Sequence, residues 1–275
     1  MKLGFSANAF SKYSLLHSIE KISNAGYDGI EIVLDEPHAF LPLTKKKITQ
    51  IKQSLIKNNL DVTNLNSNTV FGWTHDFSGE KFEPSLSNIN EKFRKWRLDY
   101  TKQSIDLAEN LNSKSISITS GLDNLNNFDL SLNLFYDSLI EIGEYAEKKN
   151  ISIAIEYEPG LLIDNSDKVW HLISKDFKNI GLNLDTCHAA VNQENLSDII
   201  QKFGKKIIHT HISDCKNNIH YHLLPGEGKI DFKKLYDSLN YIGYSGFLTA
   251  ELYTYYEFPE DAASKAFIYL KNLIK

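Results

Sequence analysis

Eight short apolar runs alternate with amphipathic stretches along the chain, and that order is the signature of parallel βαβ units. The runs lie near Leu3 to Ala7, Gly29 to Val33, Val62 to Leu65, Ser115 to Thr119, Ile151 to Glu156, Ile180 to Leu184, Lys206 to His211 and Gly246 to Glu251. Between them, Lys45 to Lys57 carries Ile48, Ile51, Leu55 and Ile56 at helical spacing, and Leu132 to Ala146 repeats the pattern with Leu134, Phe135, Leu139, Ile142 and Tyr145. An open doubly wound sheet would also alternate strand and helix. Eight units favour closure into a (β/α)8 TIM barrel with the helices as an outer ring, and 275 residues suit one such domain spanning 1–275.

Closure brings the strand ends to one face. Four of the runs end in residues that can bind a divalent metal: Glu156 after ISIAI, Asp185 after IGLNL, His211 after KIIHT and Glu251 after GFLTA. Three carboxylates and one imidazole make an oxygen-rich shell suited to Mn²⁺ first, with Mg²⁺, Co²⁺ and Zn²⁺ as alternatives. One ion per chain is the expectation.

The remaining composition narrows the partners. The formal charge is −5 and the Lys and Arg residues are scattered, so nucleic acid is not expected. No apolar run approaches a bilayer span, so no membrane partner and a cytoplasmic protein are expected. Cys187 and Cys215 lack paired zinc spacing and suggest a reducing compartment, with a disulfide between them not favoured. Homo-oligomerisation is left open. Phosphate-loop, dinucleotide and nucleophile-elbow motifs are absent from suitable strand-to-helix positions.

One connection exceeds an ordinary βα loop: Asn66 to about Ser87 holds Phe71, Trp73, His75, Phe77, Phe82 and Pro84. Two readings stand side by side. The aromatics close over the barrel mouth, with Trp73 against the ligand, or they pack on neighbouring helices.

The segments AIEYEPG, GLNLDTCHA, HTHISD, HLLPGEGKIDF and GFLTAEL, preceded by GYDGIEI, PHAF and FEPSLSN, resemble the xylose isomerase-like TIM-barrel superfamily, especially its sugar phosphate isomerase/epimerase branch. The resemblance covers nearly the whole chain. It implies that Glu156, Asp185, His211 and Glu251 are the metal ligands, and that Glu156 and Glu251 also exchange protons with a substrate carbon from opposite sides. It implies that His188 holds a substrate oxygen. His222, before the Pro225 to Gly228 turn, is a further candidate for substrate contact, as are Glu158, His38 and Asn66. Glu158 lies one strand repeat beyond Glu156, so an extended strand would point both the same way. His209, one repeat before His211, is read as a buried supporting residue. His220 and His222 also match positions where related apurinic endonucleases hold additional zinc. The fourth strand, however, ends in Thr119, Ser120 and Gly121 without the histidine such a nuclease needs.

The expectation is a metal-dependent sugar isomerase or epimerase acting on a keto-sugar or related polyol through an enediolate. An inosose-type dehydratase on the same scaffold and a noncatalytic sugar-binding barrel are the alternatives.

Overall fold

The eight runs become β1 (Lys2–Ser6), β2 (Gly29–Val33), β3 (Asp61–Asn66), β4 (Ser115–Ile118), β5 (Ser152–Ile155), β6 (Ile180–Asp185), β7 (Ile207–Ile212) and, last in the barrel, β10 (Phe247–Ala250). The computed structural model describes residues 1–73, 82–122, 127–174 and 177–275. The strands close in the order β1-β10-β7-β6-β5-β4-β3-β2, all parallel, which is a (β/α)8 barrel. Observed boundaries fall within two residues of those expected. Between the strands run α1 (Leu15–Asn24), α2 (Lys45–Lys57), α3 (Glu91–Leu111), α4 (Phe128–Glu147), α5 (Ser166–Ile173), α6 (Thr186–Val191), α7 (Leu196–Phe203), α8 (Phe232–Tyr241) and α9 (Pro259–Leu273). Among the described residues, no helix is long and apolar enough to cross a membrane.

Local chemistry explains these elements. Thr44 starts α2 by accepting the Lys47 N–H at 3.2 Å, satisfying one of the helix's orphan donors. Ile51 and Leu55 then face the barrel, each side chain stabilising the fold by about 1.5–3 kcal/mol. Ile56, which helical spacing groups with that face, is instead 80% exposed. On β2, Ile30 and Ile32 pack towards the helices, which leaves Glu31 pointing into the barrel interior, fully buried.

Two loops over the barrel mouth each hang on one buried carboxylate. Asp35, just after β2, accepts the N–H groups of Val70 (2.6 Å) and Phe71 (2.9 Å) on Oδ2, and of Gly72 (2.5 Å) and Glu36 (2.9 Å) on Oδ1. A Cβ on Gly72 would stand 2.6 Å from that Oδ1, so the close approach requires glycine. Arg97 of α3 ties both limbs of the same loop, donating to Ser67 O (2.9 Å) and Pro84 O (2.6 Å). After β7, a hairpin of β8 (Asp214–Lys216) and β9 (Ile219–Leu223) stands where the sequence reads as loop. Asp214 accepts N–H groups from Cys215 (2.8 Å), Gly226 (2.9 Å), Gly228 (2.8 Å) and Ile230 (3.0 Å), and so holds the Pro225 to Gly228 turn.

The long loop meets a neighbouring helix at Trp73. Its ring sits 4.3 Å from that of Trp96 and 6.1 Å from that of Phe93, both on α3. Trp73 thus packs on α3, and it is not among the described residues that line the mouth. Among the loop's described residues, Val70 and Phe82 supply the apolar contribution to the mouth's wall. His75 and Phe77 lie outside the described residues. Cys187 and Cys215 are both buried free thiols.

Candidate metal centre and adjoining pocket

Backbone pairing sets the four expected ligands at one level. Asp185 lies opposite His211 in the β6–β7 register. The N–H of Glu156, one residue past β5, donates to Ile118 O at 2.9 Å, and that of Glu251, one past β10, donates to Ile212 O at 3.1 Å. Glu156, Asp185, His211 and Glu251 thereby bring one ligand-type atom each within 4.8 Å of one another, all four residues buried. His211 Nδ1 stands 2.9 Å from Glu156 Oε1, 3.3 Å from Glu251 Oε2 and 3.9 Å from Asp185 Oδ2.

Two details show that this donor set fits a divalent cation. Asp185 spends Oδ1 on the His188 N–H at 2.9 Å, capping α6, while its buried Oδ2 has no hydrogen-bond partner among the described residues. His211 has its Nε2 2.8 Å from Glu31 Oε2, which leaves Nδ1 turned to the three carboxylates. A carboxylate on the far nitrogen is the usual partner of a metal-ligating histidine, because it fixes ring and tautomer and raises the basicity of the near one. The residues that would hold the ion are therefore the four at the strand ends.

Glu31 belongs to a network that sequence reasoning missed. Its Oε1 accepts from Ser6 Oγ at 2.7 Å, and its Oε2 from Asn64 Nδ2 at 2.8 Å, with His209 Nε2 at 3.4 Å. Asn64 is fixed in turn by Ser115 and Ser117. His209 is buried and supporting, as expected. Glu31→Gln keeps the shape but removes the charge behind His211, so divalent-ion affinity should fall about 10–100-fold. Titration of the ion-free protein with Mn²⁺ checks this, and an unchanged affinity would remove Glu31 from the centre.

The electrostatics agree with a site short of positive charge. Burial pushes Glu156 up to about 7, with Glu251 and Asp185 adding to the rise against His211. Burial likewise pushes Glu158 up to about 8, with Glu156 and Glu251 adding to it. Burial opposes the charged form of His211, yet Glu251, Glu31 and Glu156 hold it well above the usual imidazole range. Burial alone would also raise Asp185, but the nearby His188, His222 and His211 bring it below the ordinary carboxylate range. His222 rises to about 9, because Asp185 and Glu251 outweigh its burial. Glu156, Glu158 and His222 thus hold protons in the folded protein that an unfolded chain has released by pH 6.5–8. Folding takes up protons in that window, so ion-free stability should fall as pH rises from 6.5 to about 8. The melting temperature of the chelator-treated protein should drop by about 2–4 °C per kcal/mol lost, and saturating Mn²⁺ should flatten the dependence. A melting temperature that rises with pH in chelator would contradict the assignment.

The centre opens on a cavity of about 790 Å³ whose wall includes Glu156, Glu251, Glu158, His188, His222, His38 and Asn66. Seven of the expected site residues meet there. His188 presents Nδ1 to Tyr157 O at 2.8 Å and His222 presents Nδ1 to Glu251 O at 3.2 Å. A carbonyl only accepts, so both Nδ1 atoms carry hydrogen and both Nε2 atoms are turned to the cavity side, where His220 Nε2 lies 2.9 Å and 3.3 Å away. The three imidazoles form a second cluster able to hold an ion. Asn8, which sequence reasoning also missed, donates Nδ2 to Glu251 Oε1 at 2.8 Å. Nothing in its NAF context signals this, because it sits in a single turn after β1 that only barrel closure brings to Glu251.

Residues 19–273 match the family model described as xylose isomerase-like TIM barrel. Fructoselysine 3-epimerase of Shigella flexneri is 28% identical over 261 residues, covering 93% of this chain and 91% of that protein. A solved D-tagatose 3-epimerase-like protein superposes with a TM-score of 0.83 at 26% identity, covering 100% of this chain and 97% of that one. Inosose dehydratase of Geobacillus thermodenitrificans is 25% identical over 136 residues, 43% of this chain and 46% of that protein. With the match running through both halves of the barrel and over all four candidate ligands at the strand ends, the chain belongs to the xylose isomerase-like TIM-barrel family, among its enzymes of the isomerase and epimerase kind.

Proposed function

We propose that residues 1–275 form one barrel domain acting as a divalent-metal-dependent isomerase or epimerase of a ketose or related polyol, with Glu156 and Glu251 as the proton-transfer pair. The observation that carries this reading is the convergence of three carboxylates and His211 beneath a cavity whose wall includes two of those same carboxylates. A bound divalent ion, Mn²⁺ by preference, supplies Lewis-acid polarisation of a carbonyl and its neighbouring hydroxyl, which makes the adjacent C–H acidic.

The chain's own residues do the rest. Glu156 and Glu251 stand on β5 and β10, separated around the barrel by β6 and β7, so they approach a substrate from different sides. One removes the proton and the other returns it, which inverts the carbon. Return to the neighbouring carbon interconverts aldose and ketose. Asn8 restrains one oxygen of Glu251, while the other stands 3.3 Å from both His211 Nδ1 and His222 Nδ1. His188 and His222, with their tautomers set by backbone carbonyls, offer Nε2 atoms to substrate hydroxyls. Glu158 adds a further hydrogen-bonding group to the wall.

A panel of ketoses, aldoses and inososes in deuterated buffer with Mn²⁺ tests the reading. Deuterium at the carbon beside the carbonyl is expected in recovered sugar or its epimer. Loss of water instead would mark the dehydratase alternative, for which the partial match to inosose dehydratase speaks. Sugar binding with neither outcome would leave a noncatalytic barrel.

A further inference from the structure

The cavity has two sides of different chemistry. The ligand-type carboxylates stand at β5, β6 and β10, whereas His38, Asn66 and Asn68 line it beyond β2 and β3, where proton transfer gives them no task. Hydrogen bonding fixes the orientation of each. Asn68 Oδ1 accepts from both the N–H (2.8 Å) and the hydroxyl (3.1 Å) of Thr119, so its Nδ2 is the amide group left over. Asn66 Oδ1 accepts the Asn68 N–H at 3.1 Å and likewise leaves Nδ2. Neither Nδ2 has a partner among the described residues. His38 Nε2 lies 3.1 Å from Phe10 O and therefore carries the hydrogen, while the lone pair on its buried Nδ1 meets no donor.

Two amide donors and one buried imidazole acceptor are thus unspent, among the described residues, on side chains that line one cavity. A sugar hydroxyl satisfies both kinds, because it donates one hydrogen and accepts others. A phosphate dianion has no hydrogen for His38 Nδ1. It would also meet Glu36, with Lys12 the sole Lys or Arg in the described lining and already paired with Glu257. The Asp35 carboxylate, in the same wall, is occupied by its four backbone N–H groups.

We propose that His38, Asn66 and Asn68 form a subsite for the neutral, hydroxylated tail of the substrate, which makes the substrate an unphosphorylated ketose long enough to reach from the metal centre to β3. This rests on the ketose reading of the other side of the cavity. A four-carbon ketose keeps the carbonyl and its neighbouring hydroxyl but lacks the tail. The ratio between a long and a short ketose therefore reports on the subsite alone.

The test uses the Mn²⁺-loaded chain with D-psicose and L-erythrulose, reading kcat/KM for solvent deuterium uptake and Kd by calorimetry. Asn66→Asp and Asn68→Asp each keep the oxygen that the loop uses and replace only the amide donor; His38→Phe removes the acceptor. Each variant should reduce the preference for D-psicose over L-erythrulose by about 3–10-fold, chiefly through KM. The wild type should bind D-fructose more tightly than D-fructose 6-phosphate. A ratio unchanged in all three variants, or a preference for the phosphorylated sugar, overturns the subsite. A variant that fails to fold is recognised by its melting curve and leaves the other two. If the wild type binds D-psicose without exchanging deuterium, the proton-transfer reading fails, and the Kd ratio still decides the subsite. If it binds neither ketose, both fall.

Discussion

Replacing Glu156 or Glu251 by glutamine will cut turnover by about 10²–10⁴-fold at saturating metal, because the amide keeps an oxygen in place but cannot accept the substrate proton. Both side chains are buried and both line the cavity. Each is also a candidate ligand, and a loss of turnover through an empty site would mimic the result. Elemental analysis of each variant under assay conditions separates the causes. A metal-loaded Glu156→Gln or Glu251→Gln protein that retains activity within a few-fold of wild type would exclude the pair as the acid and base. Unequal losses are informative too. An epimerase run in one direction uses one glutamate as base and the other as acid, so reversing the substrate should exchange their deuterium-uptake defects.

Asp185→Asn and His211→Ala will each weaken ion binding by more than the ~10–100-fold expected for an outer partner such as Glu31, and elemental analysis should show the purified wild type with about one ion per chain and these variants with little. Asp185→Asn is the sharper probe. Asparagine caps a helix about as well as aspartate, so it can still accept the His188 N–H and keep α6 intact. What it loses is the charge next to the unpartnered Oδ2. Added Mn²⁺ should raise the melting temperature of the wild type and leave that of both variants nearly unmoved. Wild-type occupancy in both would eliminate the centre.

The barrel was legible because its strands are buried on both faces and read as near-continuous apolar runs, with helical periodicity between them. The convergence of the four strand-end residues was legible for a related reason: parallel closure gathers strand ends, so a polar residue after an apolar run stands out. Glu31 did not stand out. In GYDGIEI it alternates with Ile30 and Ile32, and parity alone cannot say whether the odd residue faces the interior or the helices. The interior here is polar, with Asn64, Ser117, Asn183 and His209 buried alongside Glu31, which is the phase that would have exposed it.

The other shortfalls have the same root in tertiary contact. The β8–β9 hairpin alternates exposed Ile219 and Tyr221 with inward His220 and His222, and its strands are short, so it reads as loop. Trp73 could be assigned to the mouth or to a helix only once the partner was known, and that partner, Trp96, lies in a different element. Asn68 carries no signal of its own until Thr119 is placed beside it.

The suspension of two mouth loops on Asp35 and Asp214 bears on how such a barrel can diversify. Both attachments use backbone N–H groups, which every residue but proline possesses. Against the carboxylates themselves, glycine is required at Gly72 and Gly228, where a Cβ would stand 2.6 Å and 2.2 Å away. Other loop positions can vary, and the lining of the mouth with them, while the four strand-end residues stay where the barrel sets them.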